Sequence, residues 1–287
     1  MRSPACTVTR VAFDVSPGQL GRLAIASLHA ELVCAPKPGL VTPFDAGSHR
    51  DMDATTFMRS LFSLRGYFPA IARAGAARDG FGRLQQLGVE AEVEMSRATN
   101  GINTHRGAIF SLGLLVAGAA SLRAHGDVTA AEAVCNEVMI RWGASIVDAP
   151  STSASHGQIV AQRYGAQGAR GEAARGFPTL RNVAVPALKH ALGATSDHNA
   201  AMVQSLMTLV ATTEDTNLLH RGGAAGLAYA QHRAREFLHA GGIAEPGWQA
   251  NLLRIGRDFV ARRLSPGGSA DLLACACFLV RLERPVT

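Results

Sequence analysis

Apolar residues recur at three- and four-residue spacing along almost the whole chain, and nowhere do β-branched residues alternate over the length of a strand. That pattern predicts an all-α protein, a single compact multi-helix bundle with its active site at converging helix termini. Ser16-Pro17 is a capping residue followed by a proline at the first helical position, and Leu20, Leu23, Ala24, Ser27 and Leu28 then trace one face until Pro36. Glu31 continues that face. A second helix follows Asp53, with Phe57, Leu61, Leu64, Phe68 and Ile71 in register, and a third covers 84–97 before the turn at Asn100-Gly101. The next opens at Asn103-Thr104 and is apolar all round to Ala120, which predicts a central helix. Further helices are expected near 129–148, 154–164, 178–192, 198–211, 224–240, 247–264 and 270–282.

No repeat, linker or charge shift marks a boundary, so 1–287 reads as one catalytic domain with a loosely ordered segment at 1–15. With 47% hydrophobic and 17% charged residues, disorder is excluded. No secretory pattern or membrane span is expected, and five cysteines without CxxC spacing make no disulfide framework, so the expected location is cytoplasmic. The net charge of +6 is carried by arginine, since Lys37 and Lys189 are the only lysines. A basic balance points to anionic partners. No arginine-rich tract is interleaved with aromatics, which argues against nucleic acid and leaves small anions such as nucleotides.

Polar residues collect in five cassettes at helix junctions: 36–53, 103–107, 164–177, 214–223 and 265–271. The first is a long connector, rigid in proline and dense in charge, and reads as one wall of a site. Within it Asp51 and Asp53 flank a helix start. They are either a solvated acid and a cap, or hard oxygen ligands of the kind Mg²⁺ takes together with substrate phosphates, with Asp215 as a third. Asn103, Thr104, His105 and Arg106 open the central helix, where free N–H groups and the positive dipole end favour phosphate, and Gly107 permits close approach. The glycines around Arg170 match no phosphate-loop fingerprint, and a flexible turn is expected there. Gly267 and Gly268, after Ser265, offer a nest of backbone amides, and His220-Arg221 adds a basic pair beside glycines.

Glu31 is the sharpest single residue. A carboxylate on an apolar face needs either a buried ion pair, expected here with an arginine, or a catalytic purpose. Lys37 stands between two prolines in a chain that otherwise uses arginine, as a compact point charge would.

Pro36-Lys37-Pro38-Gly39-Leu40-Val41, then 47–53, Asn103-Thr104-His105, 168–172, Asp215-Thr216-Asn217 and 264–272 together resemble the triphosphoribosyl-dephospho-CoA synthases, in order, from about Leu20 to Leu279. Arg106 stands where that family often has lysine, and 42–46 departs from its pattern. The resemblance implies that the 2′-hydroxyl of 3′-dephospho-CoA attacks C1 of the ATP ribose, with release of adenine. The product is the prosthetic-group precursor for the acyl carrier protein of malonate decarboxylase or citrate lyase. A short chain without a fused partner looks more like the malonate branch, with a downstream carrier-protein transferase as a possible partner. On this reading Glu31, Glu172 and His49 are the candidate catalytic groups. Substrate would be held by Lys37, Gly39, Arg50, Asn103, Thr104, His105, Arg106, Arg170, His220, Arg221, Ser265, Gly267 and Gly268. Asp51, Asp53 and Asp215 would hold Mg²⁺. The alternatives are a helical Mg²⁺-dependent nucleotide phosphohydrolase and a non-catalytic binder of CoA or a carrier protein.

Overall fold

The computed structural model describes residues 16–150, 160 and 163–283, and among them every regular element is helical. The segment at 1–15 and most of the helix expected at 154–164 lie outside the described residues. The all-α expectation holds.

At the centre runs α5 (Arg106–Ala124), buried continuously from Ser111 to Leu122, as its all-round apolar sequence requires. It is long and apolar enough to cross a membrane, but 78% of that window is buried inside the protein, so it is a core helix here. Around it pack α3 (Tyr67–Ala76), α6 (Ala131–Asp148) and α12 (Gly267–Leu282), with α1 (Pro17–Val33) against α3 and α12. The α3–α5 crossing depends on a glycine. A Cβ at Gly75 would lie 2.2 Å from the Ala117 carbonyl oxygen. One apolar core joins residues from α1 through α12.

The second expected helix is two, α2 (Ala54–Ser63) and α3, separated at 64–66. Its periodicity runs through the break because Leu61, Leu64, Phe68 and Ile71 all face the same core. After α4 (Phe81–Ala98), α5 and α6, a short α7 (Gly168–Ala174) replaces the expected turn. A π-helical stretch at Leu180–Ala184 leads into α8 (Val185–Ala194), and α9 (His198–Thr212) follows. Then α10 (Thr216–His239) begins eight residues before the expected start. Its backbone breaks at Gly223 (φ 62°, ψ −165°), so a continuous periodicity is readable only beyond that point. A 3₁₀ turn and α11 (Trp248–Ala261) lead to α12.

Candidate active site

The end of α1 and the starts of α5, α10 and α12 converge on one cleft of about 1730 Å³. That exceeds the roughly 300–1,000 Å³ typical of a pocket for one small ligand. Glu31 lies on its floor. Lys37 Nζ donates to Glu31 Oε1 at 2.5 Å and to the Glu31 carbonyl oxygen at 2.5 Å, with side-chain exposures of 1% for the lysine and 9% for the acid. The partner is therefore the lysine and not the expected arginine. Lys37 is spent beneath the floor and does not line the cleft. Gly39 is likewise structural: at φ 74° its missing Cβ leaves room for the Leu264 carbonyl oxygen, which would be 2.2 Å away.

The second half of the same loop reaches the α12 junction. Ser48 Oγ donates to the Leu264 carbonyl at 2.5 Å, and His49 Nε2 lies 3.0 Å from Ser265 Oγ. Arg221 Nη2 meets His49 Nδ1 at 3.0 Å. A guanidinium only donates, so Nδ1 accepts and the ring proton is on Nε2, directed at Ser265. Burial and the Arg221 charge hold the His49 pKa down to about 4, with Asp51 opposing. His49 is thus a neutral ring with both nitrogens engaged, a poor proton carrier compared with the catalytic role expected of it. Asp51 sits exposed at the rim, its Oδ1 4.0 Å from His49 Nδ1.

At the start of α5, Asn103 Oδ1 accepts from the Arg106 backbone N–H at 3.3 Å, and Arg106 Nε pairs with Glu92 Oε2 at 2.8 Å. His105 is buried, its Nδ1 2.6 Å from Ser60 Oγ and its ring edge-on to Phe57. Burial, with Lys37 adding to it, lowers its pKa to about 3. Its Nε2 and the Thr104 hydroxyl oxygen are buried beside the cleft without a hydrogen-bond partner among the described residues, which a polar ligand there would satisfy.

The three aspartates expected to hold a metal do not gather, and no three His, Cys, Asp or Glu side chains among the described residues form such a group. Asp53 is a plain cap on α2: its Oδ1 accepts from the Thr56 N–H and hydroxyl, both at 2.8 Å, and it does not line the cleft. Asp215 is fully committed. Oδ1 accepts from the N–H groups of Asn217, Leu218 and Gly268, and Oδ2 from the N–H and hydroxyl of Ser269. It staples the start of α10 to the start of α12. Burial pushes its pKa up, and those hydrogen bonds oppose the rise. It also closes the expected amide nest, since the Gly268 N–H is taken and a Cβ at Gly267 would lie 2.7 Å from Asn217 Nδ2.

Two further expectations change in the same way. Arg170 lines the cleft but gives Nη2 to the Ile146 and Ala149 carbonyls at the end of α6, both at 2.6 Å. Glu172 accepts from the Thr179 hydroxyl at 2.6 Å and its N–H at 3.1 Å. Arg50 is exposed and off the cleft, whereas His220 and Arg221 line it. The described cysteines Cys34, Cys135, Cys275 and Cys277 are free and buried, and burial pushes the thiols of Cys34, Cys135 and Cys277 up to about 12.

One residue went unnamed as a candidate. Asp271, one turn into α12, lines the cleft beside Glu31. Its position as the fifth residue of a helix that opens directly after Ser265-Pro266 was the available signal.

An all-α bundle with a cleft of this size, acids on its floor and cations at its rim defines a helical enzyme for nucleotide-sized anions. The comparisons specify which. The family model CitG, ATP:dephospho-CoA triphosphoribosyl transferase, matches residues 17–287, and the chain belongs to that family. It is 37% identical over 266 residues to a probable 2-(5''-triphosphoribosyl)-3'-dephosphocoenzyme-A synthase of Acinetobacter calcoaceticus (92% of this chain, 91% of that one). It is 38% identical over 277 residues to a probable synthase 1 of the same description in Salmonella typhimurium (93% and 91%). With the synthase of Klebsiella pneumoniae it shares 40% over 267 residues (88% and 87%). No solved structure matches. The chain is therefore a transferase, and the phosphohydrolase and non-catalytic binder readings fall away.

Proposed function

We propose that the cleft holds ATP as a ribosyl donor and 3′-dephospho-CoA as the acceptor, with Glu31 as the base that takes the 2′-hydroxyl proton. The observation that carries this is the buried Glu31–Lys37 pair on the floor of a cleft large enough for two nucleotides. Lys37 holds Oε1, and Oε2 takes no hydrogen bond from the described residues, so one oxygen is available to a substrate hydroxyl. Displacement at a sugar C1 passes through an oxocarbenium-like state, and a carboxylate that activates the incoming hydroxyl suits it. Arg221 and Arg106 at the rim supply positive potential for the triphosphate, with His220 beside them, and the start of α5 adds its dipole. The wall formed by Phe57, Tyr67, Ile71 and Phe81 suits a base or a pantetheine arm.

Mg²⁺ fits as part of the substrate. It needs only one or two carboxylates besides water and phosphate oxygens, and of the three candidate aspartates Asp51, exposed at the rim, is the one left for it. The cytoplasm suits the reaction, with buried free thiols and cellular ATP. The malonate decarboxylase carrier protein, reached through a downstream transferase, is the destination we favour over citrate lyase on the sequence resemblance. Supplying the product to the two apo-carrier systems in parallel discriminates them.

Glu31→Gln tests the base. Turnover should fall by about 10²–10⁴-fold with ATP still bound. Full turnover in Glu31→Gln would remove Glu31 from the mechanism.

A further inference from the structure

Asp271 faces the start of α5, and a glycine makes the room for it: a Cβ at Gly107 would lie 2.0 Å from Asp271 Oδ2. From α5 it receives the Ala108 backbone N–H. The charged groups that face it are acids, Glu31 from α1 and Asp215 at the start of α10, with the buried Cys275 thiol next on its own helix. No salt bridge to it forms among the described residues, in contrast to Glu31 and its lysine. Burial and those two neighbouring acids push its pKa well above the ordinary carboxyl value. Two carboxyls that share one cleft, one with a cation and one without, separate into a base and an acid.

We propose that Asp271 is the catalytic acid of the transfer, giving its proton to a ring nitrogen of the departing purine while Glu31 takes the proton of the attacking hydroxyl. This rests on the ribosyl-transfer reading above. The hydroxyl oxygen forms its bond to C1 of the ribose. The bond from C1 to the purine nitrogen breaks, and its electron pair stays on the purine. The Asp271 proton passes to the base, so adenine leaves neutral and the triphosphate stays on the transferred ribose. One proton then returns from Glu31 to Asp271 through solvent, and the net reaction neither consumes nor releases one. Gly107 is the enabling position, because any side chain there would displace the acid from the cleft wall.

The test uses the full chain with dephospho-CoA and two donors, ATP and N7-methyl-ATP, whose base departs neutral without an added proton. Asp271→Asn should lower kcat with ATP by about 10²–10⁴-fold at a KM within a few-fold of wild type. With N7-methyl-ATP the loss should shrink below about tenfold, since no acid is needed. Equal losses with both donors, or no loss with ATP, would overturn the assignment. The wild-type enzyme gives a reading independent of the variant's folding. Its kcat with ATP should decline as pH rises through the range in which Asp271 ionises, while kcat with N7-methyl-ATP stays level over that range; parallel profiles overturn the proposal. Adenine release by wild type with Asp271→Asn equally active defeats this inference alone. No adenine from the wild type defeats the ribosyl-transfer reading with it.

Discussion

Replacing Lys37 by methionine keeps most of the side chain's volume and removes its charge. In the native protein Nζ makes two contacts of 2.5 Å, to Oε1 and the carbonyl oxygen of Glu31, and water reaches almost none of the lysine. The variant leaves a buried carboxylate without a cation. Breaking a buried pair from one side costs about 3–5 kcal/mol, because the remaining charge keeps its desolvation penalty. At about 2–4 °C per kcal/mol for a chain of this size, Lys37→Met should melt about 6–20 °C lower. Removing both charges gives a different outcome. Lys37→Met with Glu31→Leu should recover most of the loss, since apolar replacements of buried pairs are often neutral or stabilising. Thermal melts followed by circular dichroism, with urea unfolding alongside, measure both. A single variant within about 1 kcal/mol of wild type, or a double variant no better than the single, would refute the claim that the lysine is closed to water and the pair mutually dependent.

Three other outcomes follow from the same geometry. Gly39→Ala should cost about 2–3 kcal/mol in urea unfolding, from positive φ and the clash with the Leu264 carbonyl, whereas Gly66→Ala, with open space around it, should be neutral or slightly stabilising. His49 and His105 are neutral in the fold, with pKa values held below the ordinary 6.5 at about 4 and about 3. Their contribution is therefore complete above about pH 6.5 and drains as pH falls toward 4, by at most about 1.4 kcal/mol per pH unit for each ring; urea midpoints that stay level between about pH 7 and 5 would contradict it. Asp53→Ser should keep both the α2 cap and the Mg²⁺ requirement, while Asp51→Asn raises the Mg²⁺ needed for half-maximal rate several-fold; the reverse order would return the metal to Asp53.

Helix content was legible because burial in a bundle imposes a period on each segment, and α5 declared itself central through the lack of any polar face. The breaks were not. Leu64 and Phe68 keep the periodicity intact across 64–66, and the turn of α10 at Gly223 hid its true start. In the site, Glu31 and Lys37 each stood out, one as an acid on an apolar face and the other as a lysine among arginines. That they bond each other was not readable, because five intervening residues with a proline among them do not specify where the chain folds back. Asp215 shows the limit most clearly. A carboxylate at a helix start reads equally as cap or ligand until the second helix start, more than fifty residues later, is seen to hang its N–H groups on the same side chain. Gly107 and Asp271 pose the same difficulty, since neither means much until they are found in contact.

The central claim is that ATP is opened at its ribose and not at its phosphates. Incubating the chain with ATP, Mg²⁺ and 3′-dephospho-CoA, and quantifying adenine and phosphate in the same sample, tests it most directly. The account predicts adenine in equal amount to the triphosphoribosylated dephospho-CoA, with no phosphate or pyrophosphate; phosphate without adenine, or neither, would contradict it.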